Sequence, residues 1–141
     1  MQNEIIGFNI RVYGICIQDE KLLTLREQYG DWDMVKLPGG GLEFGEGVLD
    51  CLRRECKEEL DIDIIVGDCF YVQEDYIPSI VNDKKQILIL YYLIEMPKNQ
   101  TIKISDHHVD YYRWISISKE CPFTLPVDKI MYKKLLQQFG Y

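Results

Sequence analysis

The sequence predicts an α+β domain, a mixed β-sheet with one acidic helix and one C-terminal helix against it, and three observations predict it. Residues 8–17 and 21–26 are rich in β-branched and aromatic side chains and flank an Asp19-Glu20 turn, the pattern of a hairpin. From Gly47 the period becomes helical, with Leu49, Leu52, Cys56 and Leu60 forming an apolar stripe. Residues 86–96 then make a nearly continuous apolar run, as a buried strand does.

The other elements follow in order. "EQYGDWD" (27–33) reads as a polar loop, and 34–37 as a short strand running into Pro38 and three glycines. After the helix, 62–76 reads as a strand interrupted near Gly67, and 77–85, with Pro, Asn and Asp, as a turn. Residues 101–104 and 111–116 are two short strands around "SDHHVD". Pro126 opens a terminal amphipathic helix with Ile130, Met131, Leu135, Leu136 and Phe139 apolar, ending at Gly140. No repeat, linker or low-complexity segment interrupts the chain, so residues 1–141 are expected to form a single domain.

Composition narrows the function. Hydrophobic residues at 47% and charged residues at 28% indicate an ordered globular chain. A net charge of -7 gives no electrostatic help to binding a nucleic-acid backbone, so no nucleic-acid partner is expected. A phosphate ligand would need local cations or a bound metal. The five cysteines are odd in number and lack C-x-x-C spacing, and Cys51 and Cys56 sit too poorly placed on a helix to make a metal pair. Reduced, mostly buried thiols in a cytoplasmic protein are the expectation. "MQNEIIGFNIRVYG" has neither the basic region nor the apolar run of a signal peptide. The apolar stretch 87–94 is too short to cross a bilayer, so no membrane partner is expected either.

The segment "LPGGGLEFGEGVLDCLRRECKEELDI" (37–62) carries the chemistry. Glu55, Glu58 and Glu59 stand at i, i+3 and i+4, so they share one helix face. Each like-charge pair at that spacing costs roughly 0.2–0.5 kcal/mol in an isolated helix. A hard divalent cation is the partner that offsets the repulsion. Arg54 is placed to orient a carboxylate by charge-assisted hydrogen bonds. Taken by itself, "RRECKEEL" also suits a solvated helix face. The glycines permit positive φ and close backbone approach. They match neither a Walker A loop, which needs Gly-Lys-Ser/Thr, nor the G-x-G-x-x-G fingerprint.

The spacing of the whole segment, from Gly40 to Ile62, is specific. Gly40, five residues, Glu46, seven residues, Arg54-Glu55, Cys56, one free position and Glu58-Glu59 resembles the Nudix box. "DWDMVKLPGG" upstream looks like the strand entering that box, and "YYRWISIS" is similar to the strand that often closes the site. Two positions depart: Cys56 stands for a bulky aliphatic, and Asp61 for the usual glycine after the second glutamate pair. Asp tolerates a left-handed conformation better than most residues.

The resemblance implies an α/β/α sandwich with a mixed sheet, the acidic helix and a C-terminal helix. It implies a hydrolase that cleaves a diphosphate linkage in a nucleotide-like substrate by water attack on phosphorus, with Mg²⁺ or Mn²⁺. Nucleoside di- or triphosphate, nucleotide sugar and dinucleotide all remain open as substrates. Glu55, Glu58, Glu59 and the Gly40 carbonyl would hold the metal. Arg54 would hold the carboxylate cluster, and Glu46 would brace the loop-helix joint or touch a metal through water. Glu58 or Glu59 would serve as base on the attacking water. The loop "SDHHVDYYRW" lacks the glutamate that many relatives carry before the closing strand, leaving Asp106, His107, His108 or Asp110, of which His108 lies nearest and would serve as base or touch the substrate phosphate.

For substrate, Arg26 and Lys36 are placed to meet phosphates, and Trp32, Tyr76 and Tyr29 to stack on a base. Pro78 lies near the proline position associated with ADP-ribose hydrolases. Rival functions are a non-catalytic nucleotide-binding sensor, which would have no reason to keep every metal ligand, and an isoprenoid diphosphate isomerase, for which Cys16 and Cys69 lack a supporting motif. RNA decapping fits poorly with the negative charge. Members of the family often form homodimers, and no interface is legible here.

Overall fold

The computed structural model describes residues 4–79 and 83–140. Strand β1 (Gly7–Gln18) turns at Asp19-Glu20, both at positive φ, into β2 (Lys21–Tyr29). The register pairs Ile17 with Leu22 and Gln18 with Lys21, next to the turn, and beyond it the two strands take different partners. On β2 these are β3 (Trp32–Lys36) and β7 (Val109–Ser116), both antiparallel. On β1 they are the three-residue β4 (Gly39–Gly41), antiparallel, and β6 (Lys85–Glu95), parallel from Gly7 opposite Lys85 to Cys16 opposite Ile94. Antiparallel β5 (Ile65–Val72) lies along the other side of β6. Beyond the first hairpin the sheet thus divides into two halves, one built on β1 and one on β2.

Alternation along β1 builds the layers, because successive side chains leave opposite faces of a strand. Val12 and Cys16 join a core with Leu23, Leu25 and helix α1 (Val48–Leu60). Tyr13 and Ile15 join the other core with Leu22, Tyr91 and helix α2 (Pro126–Gln138). The result is the expected α/β/α sandwich around a mixed sheet.

Several local expectations are corrected. Residues 27–33 are not a loop: β2 continues to Tyr29 and turns through Gly30, whose φ of 60° a glycine accommodates without strain, into β3. The three glycines form a short strand paired with β1. Residues 101–104 form no strand; their backbone bonds the end of α1, Lys103 N–H to the Leu60 carbonyl and the next amide but one, Ser105 N–H, to that of Glu59. The interruption near Gly67 is present as a register shift between Val66 and Cys69. On α1, Leu49 is exposed, and Cys51 takes its place facing the core with Leu52, Cys56 and Leu60. On α2, Phe139 is exposed while Val127, Asp128 and Tyr132 are buried. The expected turn 77–85 and the side chain of Tyr29 lie partly or wholly outside the described residues. All five cysteines are free; Cys16, Cys51 and Cys56 are buried, Cys69 and Cys121 exposed. Among the described residues, no helix is long and apolar enough to cross a membrane.

Asp128, in the first turn of α2, accepts a hydrogen bond from the hydroxyl of buried Tyr91. Burial pushes its carboxyl up to about 6, against the pull of the Tyr91 hydrogen bond, Lys36 and Arg11. An unfolded aspartate titrates near 3.9, so the folded chain binds the proton more readily between about pH 4 and 6. Stability therefore falls as pH rises through that window and levels off above it. Asp128→Asn, which keeps an acceptor for Tyr91, is expected to flatten the decline by up to roughly 3 kcal/mol at about 1.4 kcal/mol per pH unit. Urea denaturation at pH 4, 5, 6 and 7 reads this directly; an unchanged profile would show that Asp128 is not the group.

Candidate active site

The glycine strand is laid across the carboxylate face of α1. Gly39 has φ of +141°, and a Cβ there would run into the Val12 carbonyl and Tyr13, so only glycine lets β4 lie this close to β1. At Gly40 a Cβ would stand 2.5 Å from the carboxylate carbon of Glu55. The main chain at Gly40 is thus seated against an acidic side chain, and any larger residue there would push the Glu55 carboxylate away.

Arg54 ties this joint together. Its Nε donates to Glu46 Oε2 at 2.6 Å, and Nη2 donates to Glu46 Oε1 at 3.0 Å and to the Gly41 carbonyl at 3.1 Å. Its Nη1 donates to Glu55 Oε1 at 3.1 Å and to Glu58 Oε2 at 3.2 Å. These hydrogen bonds hold the Glu46 carboxyl down at about 2, well below the usual range. Burial pushes the Glu55 carboxyl upward, with Arg54 opposing. Glu58 remains mostly exposed.

Glu59 is arranged differently. It is 2% exposed, and its two oxygens accept from the Gly39 N–H and the Lys36 ammonium, each at 2.9 Å. Burial raises its carboxyl, but with both oxygens facing donors it is bound as the carboxylate. Lys36, expected to meet phosphate, is already occupied: Nζ is also 3.1 Å from Glu27 Oε2 and 3.3 Å from the Gly39 carbonyl. Burial alone would lower its pKa; Glu59, Tyr13 and Glu27 raise it on balance and keep it charged. The lysine's place on β3 under the glycine strand makes it the anchor of Glu59.

Two cations therefore divide the acidic cluster, Arg54 between Glu55 and Glu58, and Lys36 between Glu27 and Glu59. Glu55, Glu58 and Glu59 do not converge as a chelating trio in this arrangement. Among the described residues, one group of three metal-ligating side chains does, Asp106, His107 and His108, a candidate metal-binding cluster in the turn before β7.

Beside the joint lies a cleft of about 170 Å³ where β1 and β2 part, lined among others by Asn9, Arg11, Tyr13, Lys36, Ile87 and Leu125. Arg26, Trp32 and His108 are not among its lining residues. Arg26 donates to Asp33 at 3.2 Å, Trp32 is half-exposed on β3, and His108 is exposed. Arg11 was not anticipated. Its Nε donates to the Tyr13 hydroxyl at 2.6 Å, and Tyr13, Glu55 and Glu27 hold it charged against the cost of burial. The available signal was Asn9, Arg11 and Tyr13, three polar or amphipathic residues alternating on one face of a strand that is otherwise apolar.

The helix ends as its sequence allows. Asp61 takes the left-handed cap conformation, φ 52° and ψ 43°, with its N–H bonded to the Lys57 carbonyl. Its exposed ion pair with Lys57 at 3.4 Å contributes little. Asp61→Gly is expected to stabilise the fold by about 0.5–1 kcal/mol, the roughly 1–2 kcal/mol cost of the left-handed conformation less glycine's greater unfolded-state entropy. A lowered melting temperature would count against a strained cap.

The NUDIX domain model matches residues 8–138. This chain belongs to the Nudix family. A search of curated proteins finds similarity to the RNA pyrophosphohydrolase of Ruthia magnifica, 27% identical over 93% of this chain and 80% of that protein. The nucleoside triphosphatase NudI of Salmonella paratyphi B is 33% identical over 61% of this chain and 62% of that one. Among solved structures, a Nudix hydrolase from Nitrosomonas europaea superposes with a TM-score of 0.76 at 18% identity, covering 93% of this chain and 90% of that one. The Nudix box of this chain is thus the glycine strand, the Glu46-Arg54 joint and α1.

Proposed function

We propose that this Nudix protein is a metal-dependent hydrolase that cleaves a diphosphate linkage in a nucleotide-like substrate by water attack on phosphorus. The observation that carries it is the joint itself: Gly40 seated on Glu55, and Arg54 spanning Glu46, Glu55 and Glu58. Six carboxylates (Glu27, Glu43, Glu46, Glu55, Glu58, Glu59) share this region with three cations (Arg11, Lys36, Arg54), leaving an excess of negative charge.

An all-oxygen donor set of carboxylates and a main-chain carbonyl fits a hard divalent cation. Glu55, Glu58, Glu59 and the Gly40 carbonyl would hold Mg²⁺ or Mn²⁺, whose charge would draw together the carboxylates that Arg54 and Lys36 divide between them. When bound, such an ion supplies charge neutralisation at the phosphate oxygens and a more acidic water. Arg54 keeps Glu55 and Glu58 oriented, and Lys36 with the Gly39 N–H keeps Glu59 fixed beneath the glycine strand. Glu58, mostly exposed and held by Arg54 through Oε2, is the carboxylate best placed to take the proton of the attacking water.

Arg11 is the proposed phosphate contact in the cleft, in place of Lys36. Ile87, Ile89 and Leu125 supply apolar wall for a base. The relatives are named RNA pyrophosphohydrolase and nucleoside triphosphatase, names whose common chemistry is a nucleoside polyphosphate, and we propose that group as the substrate class. The charge of -7 favours the small nucleotide over the RNA.

The test is a panel of nucleoside di- and triphosphates, nucleotide sugars, dinucleotides and a 5′-triphosphorylated RNA oligomer, with Mg²⁺, with Mn²⁺ and with chelator. Metal-dependent release of phosphate, pyrophosphate or nucleoside monophosphate from one class supports the hydrolase and names its substrate. Tight binding across the panel without turnover would replace it with a nucleotide sensor.

A further inference from the structure

The chain has two histidines, and both stand in one turn beside an aspartate. His108 Nδ1 lies 3.1 Å from Asp106 Oδ1, His107 Nδ1 lies 3.9 Å from the same oxygen, and the two rings are 3.9 Å apart between centroids. A tetrahedral metal with bonds of about 2.0–2.1 Å needs donor atoms roughly 3.3 Å apart. The His108 spacing is at present a hydrogen bond, and a metal held by both atoms would take the place of its proton; the other spacing closes by rotation of His107, which is well exposed.

The turn is also held in place from outside. The Ser105 N–H donates to the Glu59 carbonyl at 3.1 Å, and its hydroxyl donates to the Glu58 carbonyl at 2.6 Å. Asp106 closes the turn itself: Oδ1 accepts from the His108 N–H at 2.9 Å, and its carbonyl accepts from the Val109 N–H at 3.1 Å. The three donors are therefore presented by a backbone pinned to the end of α1 and to the start of β7.

Their chemistry differs from that of the glutamate cluster. Two imidazoles and one carboxylate suit Zn²⁺ and its first-row neighbours, whereas an all-oxygen set suits Mg²⁺. We infer that Asp106, His107 and His108 form a second cation site, selective for borderline first-row divalent metals such as Zn²⁺, sharing no ligand with the carboxylate site of the Nudix helix and open to a water or further ligand in its remaining position.

The experiment titrates the full chain with Zn²⁺ by calorimetry in excess Mg²⁺, which occupies hard-cation sites, and records the visible spectrum of the Co²⁺-loaded chain. The expected result is one Zn²⁺ per chain and a Co²⁺ spectrum without a thiolate charge-transfer band. His107→Ala and His108→Ala should each weaken Zn²⁺ binding at least about tenfold with unchanged circular dichroism, while Glu58→Gln leaves it intact. Both histidines are exposed, so these variants test the site without threatening the fold. No Zn²⁺ uptake in the presence of Mg²⁺, histidine variants that bind as the parent does, loss in Glu58→Gln, or a thiolate band pointing to Cys69 or Cys121 would each overturn the assignment. Turnover of nucleotides does not enter this test, so its outcome is separate from that of the proposed hydrolase.

Discussion

Glu58→Gln is expected to keep the fold and lose metal-dependent hydrolysis by at least about 100-fold, roughly 2.7 kcal/mol of barrier. The side chain is mostly exposed and its one hydrogen bond comes from Arg54, which retains Glu46, Glu55 and the Gly41 carbonyl. Glutamine preserves the shape and removes both the negative charge and the proton acceptor. Thermal unfolding and circular dichroism should match the parent, so the loss falls on the site, through metal binding or proton transfer, and not on the fold. Full activity with metal still bound would remove Glu58 from the mechanism.

Lys36→Met should have the largest effect on stability. The substitution leaves Glu59, 2% exposed, with a buried carboxylate and only the Gly39 N–H as donor. Breaking a buried pair from one side costs about 3–5 kcal/mol, because the remaining charge stays desolvated without a partner. For a domain of this size that lowers Tm by roughly 10 °C or more. The double variant Lys36→Met/Glu59→Leu should recover most of the stability, since a buried pair replaced by apolar groups is often neutral. It should not recover hydrolysis if Glu59 holds metal. A single variant as stable as the parent would mean that Lys36 does not anchor Glu59. That outcome would return Lys36 to the role of a free phosphate contact.

What could be read from the chain was local. Helix α1 was legible because its period, its charged face and the left-handed tolerance of Asp61 lie within a single run of residues. The Nudix spacing was legible for the same reason: Gly40, Glu46, Arg54 and the glutamates are close in sequence, and Arg54 reaches Glu46 across eight residues. The hairpin at Asp19-Glu20 and the interruption near Gly67 are also local turn and strand chemistry. Where a local signal misled, a longer-range partner had prevailed. The glycines became a strand because β1 pairs with them, and 101–104 stayed irregular because the end of α1 took its backbone bonds.

The roles of individual charges needed the third dimension. Nothing near Lys36 in sequence marks it as the partner of Glu59, 23 residues away, or of Glu27 on the neighbouring strand. Arg11 reaches the site because β1 pairs with the glycine strand on one side and with β6 on the other. Asp128 looks like an ordinary first-turn acid until Tyr91, 37 residues distant, is packed over it. By itself, then, the sequence determined the family, the two helices and the set of acids and bases available. The tertiary structure decided which of them are spent on one another and which remain free for a ligand, because burial and ion pairing depend on elements that meet only when the sheet has closed.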